Sequence, residues 1–169
     1  MIHLFANVVN AQNILYKACN FTLPTLIPEP ESQEYFAHSY LLEQKNIRFR
    51  IAKKTPLKNG YFVTIWKRFK NGSTAPYDQD DNVDLLIINV IHGQSIGQFV
   101  FPKTILIKKS IFSQKNKGGK RGFRVYSPWD TIESAQAQST QKWQIKFFID
   151  ITPGIILNVS LAKKLYSNI

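Results

Sequence analysis

Arg48 and Arg50 alternate with Ile47, Phe49 and Ile51, so a strand here carries two guanidinium groups on one face and an apolar row on the other. The same parity recurs downstream. Phe62, Thr64, Trp66 and Arg68 share one strand face, and so do Arg124 and Tyr126, which sets aromatic rings beside cations. Cations neutralise phosphates, and aromatic rings stack on unpaired bases at roughly 1–3 kcal/mol per base. Between these strands, Gly118-Gly119-Lys120-Arg121-Gly122 joins two cations to glycines that let backbone N–H groups approach an anion. The residues expected to meet a nucleic acid, or another polyphosphate, are therefore Arg48, Arg50, Lys53, Lys58, Trp66, Arg68, Lys120, Arg121, Arg124 and Tyr126.

The distribution of charge supports that expectation. With 22 Lys+Arg against 11 Asp+Glu the formal net charge is +11, and two windows hold most of the excess. Lys45–Lys70 carries nine basic residues and Lys103–Arg124 eight, seventeen of the 22, with no acid in either window. The pattern is compositional and forms no motif. Lysines on strand edges also guard against aggregation. Phe62 and Trp66 also read, somewhat better, as core residues of the second sheet face beneath a helix.

Common catalytic arrangements are missing. There are three histidines, no Gly-x-Ser-x-Gly elbow, no Walker-type phosphate loop and no His-Glu-x-x-His pair. A single cysteine, Cys19, excludes multi-cysteine zinc sites, iron–sulfur clusters and an intrachain disulfide; among Tyr16, Ala18 and Phe21 it reads as a small buried hydrophobe. The serious enzymatic alternative is a metal-dependent nuclease with a restriction-endonuclease-like core, in which carboxylates hold Mg²⁺ and a lysine polarises water. Asp84, Lys103 and Glu34 are its candidates. Such nucleases usually carry a carboxylate two residues before the lysine, and Phe101 occupies that place. The expected function is thus non-catalytic binding of nucleic acid with no cofactor and no metal. The nuclease is one alternative, and an adaptor for an acidic protein is another.

The elements that must position these residues follow from periodicity. Leu4, Val8, Ala11, Leu15 and Ala18 predict an amphipathic helix over 2–19, ended by Pro24, Pro28 and Pro30. The Ile47–Ile51 strand and a second over Tyr61–Arg68 read as an antiparallel pair because Thr55–Gly60 is a short connection. Asp84–Ile91 reads as a central strand buried on both faces, and Gln98–Ile107 pairs back with Pro102 at an edge or bulge. Phe123–Tyr126 is a short strand. Asp130 and Glu133 have capping-box spacing and predict a helix to about Ile151, and Ile155–Ile169 adds a short element. The fold class is α+β: one domain over 1–169, a mainly antiparallel or mixed sheet of about five to six strands, with an N-terminal and a C-terminal helix packed on it. Met1–Asn13 lacks the basic region of a signal peptide, and no stretch reaches the ~20 apolar residues of a spanning helix. A cytoplasmic protein with no membrane insertion is expected.

Four strings carry a resemblance: Phe49–Arg68, Gly97–Lys103, Gly119–Asp130 and Gln141–Gln144. Over roughly Glu34–Asp150 the chain resembles the MepB-like family, named after a bacterial gene cluster that also encodes a multidrug efflux pump and its repressor. The resemblance implies a bacterial intracellular protein and carries over no settled activity.

Overall fold

The computed structural model describes residues 2–167. Helix α1 (Ile2–Ala18) is followed by the two-residue strand β1 (Ile27–Pro28), a 3₁₀ turn (Gln33–Tyr35), β2 (His38–Leu42) and β3 (Lys45–Ile51). Next come β4 (Lys53–Thr55), β5 (Lys58–Thr64), β6 (Trp66–Arg68), β7 (Thr74–Pro76), β8 (Leu85–His92) and β9 (Ser95–Pro102). Helix α2 (Lys103–Lys108), β10 (Ser113–Gln114), β11 (Lys117–Gly118), β12 (Gly122–Val125), α3 (Ala135–Gln144), β13 (Phe148–Asp150) and α4 (Val159–Ser167) complete the order. The main sheet is six-stranded and mixed, β1-β2-β3-β8-β9-β13, with β3 and β8 parallel. A second sheet, β12-β5-β4, is antiparallel throughout.

Strand parity builds two cores from one sheet. Ile47, Phe49, Ile51, Leu85, Ile87 and Val100 face α1 and α4. Leu86, Ile88, Val90, Phe99 and Phe101 face the small sheet, where Tyr61, Val63, Phe123 and Val125 meet them. β8 is buried on both sides over Leu85–Val90, as its nearly unbroken apolar run requires. On α1 the inward stripe is Val8, Ala11, Leu15 and Tyr16, continued past the helix end by Cys19, while Leu4 and Ala18 are exposed; the apolar face is rotated from the one expected.

Three expected elements take other forms. The Lys58–Thr64 strand does not pair with the Ile47–Ile51 strand. The short connection instead joins β4 to β5, and β3 takes β2 and β8 as neighbours. The strand through Gln98 stops at Pro102, the N-cap of α2; Pro102 pairs with Leu85 of β8, but β13 reaches only Gly97–Phe99, so the residue without an N–H has no strand on its other side. The last helix does not start at Asp130. That carboxylate accepts from the Ser127 N–H and hydroxyl (2.7 and 2.8 Å), and Ser134 caps α3 by accepting from the Ala137 N–H. Nor does the helix reach Ile151, because Phe148–Asp150 joins the sheet. Gly97 permits this: a Cβ there would stand 2.2 Å from the Phe148 ring.

Under α1 and α4 lies a polar network within the apolar layer. The Tyr16 hydroxyl meets those of Tyr40 (2.8 Å) and Tyr166 (3.0 Å), and Tyr166 donates to Gln98 Oε1. Gln98 in turn donates to Gln12 Oε1 and Asn89 Oδ1, both at 3.0 Å. Burial pushes all three phenols well above their ordinary pKa. The folded state thus holds these protons more tightly than the unfolded chain. The contribution is complete below the ordinary tyrosine pKa of ~10 and is lost as pH rises beyond it. Unfolding free energy measured by urea titration should hold steady between about pH 7 and 9 and fall above about pH 10, less steeply in Tyr166→Phe. Equal slopes in the two proteins would contradict the assignment.

Candidate nucleic-acid interface

β5 lies at the centre of the small sheet and alternates Tyr61 and Val63 inward with Phe62 and Thr64 outward. Register then sets a row across three strands, because Phe62 pairs with Lys53 on one side and Arg124 on the other. Residues opposite one another on adjacent strands point to the same face. The outer face therefore carries a cation, a ring and a cation in line. Tyr35, from the 3₁₀ turn, leans its ring against Phe62 at a centroid distance of 6.3 Å. Lys53 Nζ stands 5.2 Å from the Tyr35 ring, and Arg124 Cζ 5.8 Å from the Phe62 ring. Arg124 is held by Thr55 Oγ1 (2.6 Å) and the Asn59 carbonyl (3.2 Å). Phe62 lies across Gly122, where a Cβ would come within 2.7 Å of the ring. Tyr35, Phe62 and Trp66 are all half-buried, with part of each ring open to solvent.

Several of the expected cations are already paired, and the carboxylates come from one segment. Glu29 binds Arg48 Nε at 2.9 Å and Arg50 Nη1 at 2.6 Å, and Glu31 binds Arg68 Nε at 2.6 Å. In the same segment Ser32 Oγ accepts from Thr64 Oγ1 at 2.7 Å. Its 3₁₀ turn is bracketed by Ser32 and Phe36 at φ 58° and 50°, a left-handed backbone that non-glycine residues adopt only when surroundings hold it. Lys67 takes Asp81 at 2.6 Å. The hydrogen bond to Glu31 raises the Arg68 pKa further above its ordinary value. Arg68 Cζ also stands 5.1 Å from the Trp66 ring.

Arg50 therefore leaves the expected surface. It does share a strand face with Arg48, but the small sheet covers that face, and Arg50 is fully buried with bonds to the Phe49 and Thr64 carbonyls. The glycine loop changes role as well. Its Gly119 and Lys120 N–H groups donate to the Ser110 and Ile111 carbonyls, so they are not open to an anion, and Arg121 is bound to Thr74. Lys120 and Tyr126 line a groove between β12 and α3 that adjoins the sheet face at Arg124. Lys58 is exposed at the start of β5. Among the described residues, Lys53, Lys58, Lys120, Arg121 and Arg124 have no carboxylate partner.

The nuclease candidates are not brought together as a metal site. Asp84 accepts from the Asn46 N–H at 2.7 Å and ties the start of β8 to β3. Lys103 is its neighbour across the sheet, but Lys103 Nζ donates to the Gln79 and Asp81 carbonyls at 3.0 and 2.6 Å. Glu34 is exposed on the 3₁₀ turn. Asp78 is held below the usual carboxylate range, chiefly by the Ser113 hydroxyl and then by the Asp80 N–H. Among the described residues no three His, Cys, Asp or Glu side chains converge in a way that could hold a metal ion.

Tyr35, Glu29 and Glu31 were not among the expected site residues. The signal for them is present: Glu29, Glu31 and Glu34 cluster between Pro28 and Tyr35, shortly before the first acid-free window. Removing one partner of a buried ion pair costs about 3–5 kcal/mol, whereas an exposed side chain changes stability by about 0.5 kcal/mol or less. Urea unfolding should accordingly show a loss of that larger size for Glu29→Gln and almost none for Glu34→Gln. Equal losses would show that Glu29 does not neutralise a buried charge.

Among curated proteins none matches this chain. A MepB-like family model matches residues 29–150. The structure is similar to the crystal structure of MepB, at 34% identity over 83% of this chain and 95% of that one, with a TM-score of 0.73. A bacterial homing endonuclease is a remote neighbour at 11% identity over 76% of each chain, with a TM-score of 0.40, too slight a likeness to bear on activity. The family model spans both basic windows, and the chain belongs to the MepB-like family.

Proposed function

We propose that this protein binds nucleic acid without cleaving it, through the outer face of the small sheet. The observation that carries the reading is the row Lys53–Phe62–Arg124 with Tyr35 beside it: cations without carboxylate partners, standing over half-exposed rings. Phosphates take the cations, and a base can stack where a cation now covers a ring. Rings available in this way favour unpaired bases, because a duplex keeps its base faces stacked internally. Trp66 adds a further half-buried ring, with Arg68 held beside it by Glu31. We place this binding in the cytoplasm, where nucleic acid is at hand and a lone cysteine needs no disulfide partner. The roles of Asp84 and Lys103 in holding the main sheet and the loop support binding over cleavage.

Anisotropy of a labelled oligonucleotide at low salt tests this. Phe62→Leu should weaken single-strand binding by roughly 1–3 kcal/mol while leaving duplex binding nearly unchanged. Lys53→Gln should lower the salt slope by about 0.7 for a single strand. Absence of binding by the wild-type protein at low salt would overturn the reading. In Mg²⁺ or Mn²⁺ the oligonucleotide should stay intact; cleavage that disappears in Asp84→Asn would move the protein to the nuclease class.

A further inference from the structure

Helix α3 is fastened to its surroundings by three glutamines along one stripe. Gln144 is fully buried, and its amide takes both polar groups on the edge of β12, donating to the Arg124 carbonyl (2.9 Å) and accepting from the Tyr126 N–H (2.8 Å). Gln141 donates to the Ser127 and Asp130 carbonyls, and Gln138 to that of Ile132. A side-chain amide thus stands in for a neighbouring strand at the C-terminal end of the helix. Between α3 and β12 a groove of about 470 Å³ remains, within the ~300–1,000 Å³ usual for small-molecule sites.

The lining of this groove is chemically specific. Phe123 and Ile111 give it an apolar base, being 7% and 3% exposed. Trp143 and Tyr126 add aromatic surface, and Gln136, Ser139 and Thr140 add uncharged hydrogen-bonding groups. Lys109 and Lys120 supply the charge; Lys109 Nζ stands 5.3 Å from the Trp143 ring. No aspartate or glutamate lines the groove, and neither lysine has a carboxylate partner among the described residues. The guanidinium of Arg124, a further lining residue, is engaged with Thr55 and Asn59 on the sheet face. An inorganic anion needs only the lysines, and an apolar ligand needs only the rings. Both together fit one class of ligand: an anion that carries a flat ring and hydroxyl groups.

We infer that this groove is a binding site for a single nucleotide, with its phosphate on Lys109 and Lys120 and its base against Trp143. The nucleotide is either free or an unpaired residue of a strand. This inference does not rest on the sheet-face reading, since the groove is lined from β12, α3 and the segment between α2 and β12, and a mononucleotide needs none of the Lys53–Phe62 row.

The test is titration of the full chain with AMP, read by tryptophan fluorescence, with sodium phosphate and adenosine as separate arms. A saturable change with AMP, at least about ten-fold tighter than with either part alone, is expected. Lys109→Ala/Lys120→Ala should weaken it by at least about ten-fold, while Lys17→Ala/Lys164→Ala, which removes equal charge from the helical layer, should not. Trp143→Phe should remove the fluorescence change and leave AMP binding measurable by calorimetry. Competition with an unlabelled single strand separates the sources: displacement of AMP assigns the groove to a nucleotide within a strand, and no displacement assigns it to the free nucleotide. No saturable AMP signal up to about 10 mM, or equal weakening by the two lysine pairs, would overturn the inference. A failure of oligonucleotide binding with AMP binding intact would refute the sheet-face reading alone.

Discussion

The fully buried guanidinium of Arg50 is the charge around which this molecule is arranged. It leaves β3 on the side facing the small sheet and bonds the Thr64 carbonyl there, so one side chain links the two sheets. An unpaired charge in that position is untenable, since desolvation alone costs several kcal/mol per ion. Glu29 supplies the counter-charge at 2.6 Å, and the segment that follows it must then run beside the small sheet. That course sets Glu31 on Arg68, Ser32 on Thr64 and Tyr35 on Phe62. The aromatic surface thus depends on a buried ion pair, and two left-handed residues in the segment are held by the same packing.

The constraint also sorts the positive charge. In sequence the two basic windows contain no acid, yet in the fold Arg48, Arg50, Lys67 and Arg68 are each paired with a carboxylate from outside their window, Arg48 and Arg50 sharing Glu29. With 11 acids for 22 bases, neutralisation cannot be complete. Four of the cations left over stand out by their neighbours. Lys53 and Arg124 flank the Phe62 ring, and Lys109 and Lys120 flank the groove behind β12.

Much of the architecture was legible in the residues. Alternation across Tyr61–Thr64 divided inward from outward positions, although the strand ends at Thr64 and Trp66–Arg68 pairs elsewhere, and the Asp84–Ile91 run marked a central strand. Parity reports which residues share a face but not what covers that face, which is why Arg50 was expected at the surface. The end of the last helix was hidden for a related reason. Phe148 is as apolar as a helical core residue, and its place in the sheet depends on the missing side chain of Gly97, distant in sequence. The capping-box spacing at Asp130 misled because the carboxylate was claimed by Ser127 before any helix began. Of the candidate site, Lys53, Trp66, Arg68, Arg124 and Tyr126 could be read from local pattern. Tyr35 and the glutamates could be reached only through tertiary charge balance.

The central claim is that charge pairing decides which cations belong to the fold and which are open to a ligand. Its most direct test compares two variants that each remove two positive charges, Lys67→Gln/Arg68→Gln from the paired set and Lys53→Gln/Arg124→Gln from the unpaired set. Single-stranded oligonucleotide affinity at fixed low salt is the measurement. The account predicts a much larger loss for the Lys53/Arg124 variant than for the Lys67/Arg68 variant. Equal losses would mean that only net charge matters, and would contradict it.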